Sequence, residues 1–206
     1  MAVLVSTVFA TARTLLNDDA AVTFTDAVLL PKLVEAFREL QAKLILSAAP
    51  MMRSEATQNI AANVITLVIP VDLVAPIRLW EKAQGSGNNT YIPMTEQDPL
   101  PNLAPSTSAL IYWQWYQQAI NLIGCTLTRT VKIQYWRSLT EPTGSGSDLI
   151  FNRGELFLAP RTAALMAGVV GESEAMDKWS MIADANLNDI ILANRGRIPP
   201  PTTDRP

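Results

Sequence analysis

The constraint that governs this chain is a change of hydrophobic period, from helical to strand-like and back to helical, within 206 residues. Val5, Val8, Phe9, Ala12, Leu15 and Leu16 recur at i, i+3, i+4 and i+7, which predicts a helix over about 3–16 that Asn17-Asp18-Asp19 stops. A second helix is predicted over about 26–47. Thr25 or Asp26 is its N-cap, and Leu29, Leu30, Leu33, Val34, Phe37, Leu40, Leu44 and Ile45 form its apolar face. Pro31 lies near its start, where proline is tolerated. Glu35, Arg38, Glu39 and Lys43 fall largely on the opposite, solvated side, with Glu39 and Lys43 in the favourable i, i+4 order.

After Pro50 the period shortens. Asn63–Ile69 is β-branched and reads as a strand ended by Pro70, and Leu73–Lys82 reads as a second, with Pro76 marking an edge or a bulge. Gln84–Thr90 is a loop. Ala109–Gln117, Ala119–Ile123 and the alternating Arg129–Ser138 complete a β insert of about 60–138, with Val131, Ile133 and Tyr135 on one face of the last strand. Gly144-Ser145-Gly146-Ser147 is a turn or linker, after which helices are expected at about 155–170 and 172–194. Pro160 kinks the first or defines its start, and Gly196 suits the C′ position of the second. Pro199–Pro206 holds four of the chain's 14 prolines and can form neither helix nor central strand. The expected fold is α+β: a mostly helical bundle of two N-terminal and two C-terminal helices, a small antiparallel β insert and an extended C-terminal arm. Residues 1–195 would form a single domain and 196–206 the arm.

Composition excludes several kinds of chemistry. With no histidine and one cysteine, Cys125, the chain has no Ser-His-Asp triad, Cys-His dyad, imidazole zinc site or intramolecular disulfide. Sixteen Lys+Arg against 19 Asp+Glu leave a net charge of −3, which argues against a surface built to grip phosphates. The apolar N-terminus lacks a basic leader and is interrupted by Arg13, so it reads as an amphipathic helix and not as a signal peptide. Pro99–Thr128 contains no charge in 30 residues, but its three prolines, three glutamines and two asparagines rule out a spanning helix and no membrane association is expected. Burial against neighbouring subunits is the expected reason for that neutrality. Tyr112, Trp113, Trp115 and Tyr116, with Trp136, are the subunit-interface candidates, because interfaces favour Trp and Tyr.

No residue is assigned a catalytic, metal-binding or cofactor-binding role, and the chain is not expected to be an enzyme. Asp18-Asp19, the Glu172/Glu174 pair, Asp148 and Glu155 sit at helix boundaries or turns, where acids cap or meet the positive dipole end. Gly85-Ser86-Gly87 and Gly144-Ser145-Gly146 lack the Lys-Ser/Thr of a phosphate cradle, and Asn88-Asn89-Thr90 matches a glycosylation sequon without a secretory signal. Cys125 has no evident base partner. A cell-wall hydrolase would need two carboxylates roughly 5–10 Å apart in a cleft. Glu35 and Glu39, one helical turn apart, are the pair with a defined geometry. A binding module using Trp113 and Trp115 as a ligand platform is a further alternative.

The order of these segments resembles the head-to-tail adaptor, or connector, proteins of tailed bacteriophages. The likeness runs over about 6–195 and rests on Leu15-Leu16-Asn17-Asp18 at the end of the first helix and on Leu33-Val34-Glu35-Ala36-Phe37-Arg38-Glu39-Leu40 in the second. It continues through the turn Pro70-Val71-Asp72-Leu73 leading to Ile77-Arg78-Leu79-Trp80, then Ile133-Gln134-Tyr135-Trp136-Arg137, and Trp179 in the last helix. The resemblance implies a virion structural protein of the neck, present in the host cytoplasm before assembly. It would form a homo-oligomeric ring, usually dodecameric, beneath the portal protein, extend a channel through which DNA passes without sequence-specific binding, and offer a platform to the stopper or tail protein. A neck or tail-tube position lower down is a close variant. The resemblance also implies a portal-docking C-terminal arm, here Arg195, Arg197, Ile198, Pro199, Pro200, Pro201 and Arg205.

Overall fold

The computed structural model describes residues 3–87, 90–101, 107–151 and 153–194. The chain divides into two compact units: residues 1–52 with 139–206, and residues 53–138.

The first unit contains α1 (Val5–Leu15), α2 (Asp26–Leu46), α3 (Glu155–Val170) and α4 (Ser173–Asn194), with a two-residue ladder between β1 (Val3–Leu4) and β9 (Asp148–Leu149). Its centre is α3. Phe157, Leu158, Ala159, Pro160, Thr162, Ala163, Ala164, Met166 and Ala167 are all buried, so this helix is apolar nearly all round and packs against α1, α2 and α4. Val5, Val8, Phe9 and Ala12 of α1 are buried in this unit, as are Leu29, Leu33, Phe37, Leu40 and Leu44 of α2, and the Phe37 and Phe151 rings meet at 5.1 Å.

Pro160 sits inside α3 without ending it. Its missing N–H leaves the Leu156 carbonyl, four residues back, without a helical partner. Asn186 of α4 supplies one: its Nδ2 donates to that carbonyl at 2.9 Å. Pro31 leaves Ala27 in the same position, but Ala27 is exposed and water can serve. The Gly-Ser turn also has a structural task. The carbonyls of Ser145 and Ser147 accept from the N–H groups of Ser6 and Val5 at 2.9 and 3.0 Å, capping a helix start that has no side-chain cap. At the α3–α4 junction Gly171 takes φ of +84°, and a Cβ on Gly168 would lie 3.0 Å from the Met176 sulfur.

The second unit is a β unit. One sheet has the order β2-β8-β3-β4, formed by β2 (Arg53–Ile60), β8 (Arg129–Arg137), β3 (Leu73–Ala83) and β4 (Ile92–Pro93). A second has the order β5-β6-β7, from β5 (Thr95–Glu96), β6 (Tyr112–Tyr116) and β7 (Ala119–Leu122). Val131, Ile133 and Tyr135 of the central strand β8 point into a core shared with Ile60, Leu79, Trp113, Ile120 and Leu122. The register of β3 on β8 shifts on either side of Pro76, so that proline sits between two bulges.

The expected mostly helical bundle with a small antiparallel insert is therefore corrected. The described residues hold four α-helices and nine strands in three sheets, and one pairing, β5 with β6, is parallel. The fold is α+β with a β unit of its own. Two local patterns misled the count. β2 has no apolar alternation because it is a polar edge strand: Glu55 pairs with Lys132 at 2.8 Å, and Asn59 accepts from the Thr130 hydroxyl at 2.7 Å. Asn63–Ile69 has the strongest β propensity yet forms no strand; it meets β7 at one bridge, Thr66 to Asn121, flanked by bonds from Leu67 N–H to the Ile120 carbonyl and from Leu122 N–H to the Ile65 carbonyl. The proline-rich arm from Arg195 lies outside the described residues.

Replacing Asn186 by Ala should cost about 1 kcal/mol in chemical denaturation. In a Pro160→Ala background, where residue 160 regains its N–H, the same change should cost less than about 0.5 kcal/mol. Equal losses in both backgrounds would show that Asn186 does not serve the Leu156 carbonyl.

Candidate functional site

Three features hold residues that the sequence singles out: the aromatic hairpin of the interface candidates, the Pro70–Leu73 turn that carries the resemblance, and Glu35 and Glu39 of α2, the pair a hydrolase would use. The hairpin is β6 and β7, joined by Gln117 and Gln118 at φ of +49° and +57°. Two consecutive left-handed residues make a turn that matches the strand twist, formed here by glutamines in place of the usual Asn-Gly. Strand alternation then sorts the aromatic residues. Trp113 is only 2% exposed and lies in the core, Trp115 packs on the edge of that core, Tyr112 is half-buried, and Tyr116 is 53% exposed. Trp136 belongs to the other sheet, half-buried, with the Arg53 guanidinium 5.2 Å above its ring.

The structure thus distributes the interface candidates between core and surface. Leu110, Trp113, Ile120, Leu122 and Cys125, all from the uncharged stretch, help form the core of the β unit itself. Much of that neutrality needs no neighbouring subunit to explain it. Arg195, Arg197, Ile198, Pro199, Pro200, Pro201 and Arg205 lie outside the described residues.

The turn before β3 is a clamp. The Leu73 N–H donates to the Pro70 carbonyl at 3.0 Å, and the Asp72 carbonyl accepts from the Ser138 N–H at 2.7 Å. The Asp72 carboxylate accepts from the Tyr135 hydroxyl at 2.9 Å. Burial raises the Tyr135 pKa, and the bond to Asp72 adds to the rise, so the phenol stays a proton donor. At the other end of these two strands Glu81, 1% exposed, is paired with Arg129, which keeps that buried carboxylate matched.

The stretch Leu15-Leu16-Asn17-Asp18 is likewise architectural. Asn17 at φ of +55° turns the chain out of α1. The Asp18 carboxylate then accepts from the backbone N–H groups of Phe24, Val22 and Thr23 at 2.6, 3.1 and 3.1 Å, and these bonds lower its pKa. Arg13 completes the loop, donating from Nε to the Phe24 carbonyl at 2.7 Å and pairing with Asp26.

Glu35 and Glu39 are both held in ion pairs. Glu35 meets Lys32 at 2.9 Å, while Glu39 meets Lys43 at 2.9 Å and Arg161 at 2.7 Å. Lys43 goes on to Asp184 of α4 at 3.0 Å, so the network ties α2 to α3 and α4. Burial works to raise the Glu39 pKa, but the bonds from Lys43 and Arg161 outweigh it and the net shift is downward. A glycosidase general acid needs the opposite shift. Sequence reasoning missed Arg161 and Asp184 as members of this cluster because they stand more than a hundred residues away. Among the described residues, no group of three or more Cys, Asp or Glu side chains is placed to hold a metal ion, and no helix is long and apolar enough to cross a membrane.

Ion pairs between helices, a clamped β unit and motif residues spent on turns give these side chains structural tasks. The family is shown by comparison: the model of the SU10 adaptor protein family matches residues 4–203, and the chain belongs to that family of phage head-to-tail adaptors. No curated protein sequence matches the chain.

Two outcomes test the site. Asp72→Ala should cost about 1–3 kcal/mol, and adding Tyr135→Phe should then cost less than it does alone, because their shared bond is already gone and only the phenol's contact with Ser54 is left to lose; fully additive losses would show the two residues are not coupled. The pKa values of Asp18, Asp26, Glu39 and Glu141 are all lowered by hydrogen bonds or ion pairs in the folded state. Their contribution is complete above the ordinary carboxylate range and is lost as pH falls through the depressed values, so stability should decline below about pH 4. With no histidine in the chain, denaturation midpoints should stay nearly flat between about pH 6 and 8, and a fall in that window would contradict the assignment.

Proposed function

We propose that this chain is the ring-forming subunit of a phage head-to-tail connector: a homo-oligomer, dodecameric by resemblance, that docks beneath the portal, extends the DNA channel and presents a platform to the stopper or tail. The observation that carries the reading is membership of the adaptor family over nearly the whole chain. Supporting it is the outer face of α4, where Met181, Ile182 and Leu192 are exposed on a helix whose buried side already faces the first unit. Apolar helix surface in excess of what one unit covers is what a subunit interface uses. In the β unit Ile65, Val68 and Val71 are exposed in the same way. The net charge of −3 suits a channel wall that lets DNA slide without gripping it. The residues from Arg195 are the docking arm in this reading. Proline-rich chain loses little entropy on binding, and Arg195, Arg197 and Arg205 can meet carboxylates on the portal.

Deleting residues 196–206 should leave a folded protein, by circular dichroism, that no longer attaches to portal-bearing capsids. Full attachment of the shortened chain would remove the docking role, and electron microscopy of particles carrying the parent chain tests the ring.

A further inference from the structure

The net charge of −3 is an average over surfaces of opposite sign. Strand alternation sends Leu79 of β3 and Val131, Ile133 and Tyr135 of β8 into the core of the β unit. The residues between them stand on the other face of the β2-β8-β3-β4 sheet. There the register sets Arg78 and Glu55 beside Gln134, Trp80 beside Lys132, and Arg53 beside Trp136. On this face four cations, Arg53, Arg78, Lys82 and Lys132, stand against one carboxylate, Glu55. Lys82 is 8% exposed and is spent within the unit, its Nζ donating to the Ser86 carbonyl at 2.8 Å. Arg53 and Arg78 are exposed, and Lys132 is half-buried.

Three properties define what such a face receives. Its cations rest on rings: the Arg53 guanidinium lies 5.2 Å from the Trp136 ring and Lys132 Nζ lies 5.4 Å from the Trp80 ring. Side chains ordered in this way lose less entropy when an anion arrives. Arginine beside tryptophan is the pairing that anchors protein interfaces, whereas half-buried rings offer little to the phosphates of a DNA duplex. The anion already on the face is a carboxylate, since Glu55 is held by Lys132 at 2.8 Å and by Gln134 at 3.2 Å. Beside Arg78 and Trp80 opens a cavity of about 280 Å³, with Leu79, Pro93 and Met94 in its walls and Glu96, from the other sheet, also lining it. It falls below the roughly 300–1,000 Å³ usual for cofactors and drug-sized ligands, so it suits an apolar side chain or two.

We propose that this face docks an acidic segment of another protein: carboxylates of the segment meet Arg78, Lys132 and Arg53, and an apolar side chain between them enters the cavity beside Trp80. Complementary charge sets the register of such a segment, and the apolar anchor holds it.

The test titrates the full-length chain with a fluorescein-labelled octapeptide of alternating Asp and Leu. Saturable binding is expected by anisotropy below about 1 mM peptide, weakening as NaCl rises from about 50 to about 300 mM. The matching Asn-Leu peptide should not bind. Arg78→Glu, at an exposed position without an ion pair among the described residues, should weaken binding at least tenfold, or about 1.4 kcal/mol. Lys178→Glu on α4, the same change of charge away from the face, should leave binding unchanged. No saturable binding, equal binding of the Asn-Leu peptide, or equal weakening by the two variants would each overturn the proposal. Tighter binding of a short DNA duplex than of the peptide would assign the face to phosphates instead. Self-association of the chain alone that Arg78→Glu abolishes, seen by sedimentation, would assign it to a second copy. Neither portal nor capsid is present, so failure here leaves the connector reading untouched.

Discussion

The first unit depends on the burial of α3. A helix apolar on nearly every side cannot exist alone in water, and here α1, α2 and α4 each cover part of it. Two of those partners precede α3 in the chain by more than a hundred residues, so its core forms only when distant segments meet. The polar contacts then act as alignment. Glu39, Lys43, Arg161 and Asp184 join three helices through partly exposed charges, whose individual worth is small but whose joint geometry admits one arrangement. Asn186 shows the same economy, since a single amide makes an internal proline tolerable in the most buried helix.

α1, α2 and α4 were legible in the sequence because packing on one side leaves a 3.6-residue trace, and the four predicted helices differ from the observed bounds by at most two residues. The sheets were legible only where one face is apolar. Val131, Ile133 and Tyr135 announced β8, and Pro76 announced the irregularity in β3. β2 left no trace because an edge strand facing solvent is read through Glu55 and Asn59, whose partners lie on another strand and are invisible to a window of neighbouring residues. Asn63–Ile69 differs in the opposite sense: its β-branched residues do meet β7, through the Thr66–Asn121 bridge and the bonds Leu67 N–H to Ile120 and Leu122 N–H to Ile65, but the pairing is too short to make a strand.

Two of the motifs that carried the family likeness fasten loops. Asp18 gathers three backbone N–H groups, Asp72 holds the end of β8 to the start of β3, and neither is free to do chemistry. The aromatic hairpin was the weaker guide. Two tryptophans two residues apart share a face by strand geometry, so composition could mark the hairpin without telling core from surface; only the pairing of Trp113 with Leu122 and Trp115 with Ile120 resolves it.

The pairing of Arg53 with Trp136 places the entrance and the exit of the β unit on adjacent strands, roughly 5 Å apart. Everything between them is, to the rest of the chain, a closed loop with a narrow neck. Once β2 and β8 have zipped, the two halves of the helical unit are no longer distant segments searching for one another but neighbours tethered at high local concentration. The same neck fixes the span that any chain joining Met52 to Leu139 must bridge: a short hairpin with the same end-to-end spacing would preserve that connection.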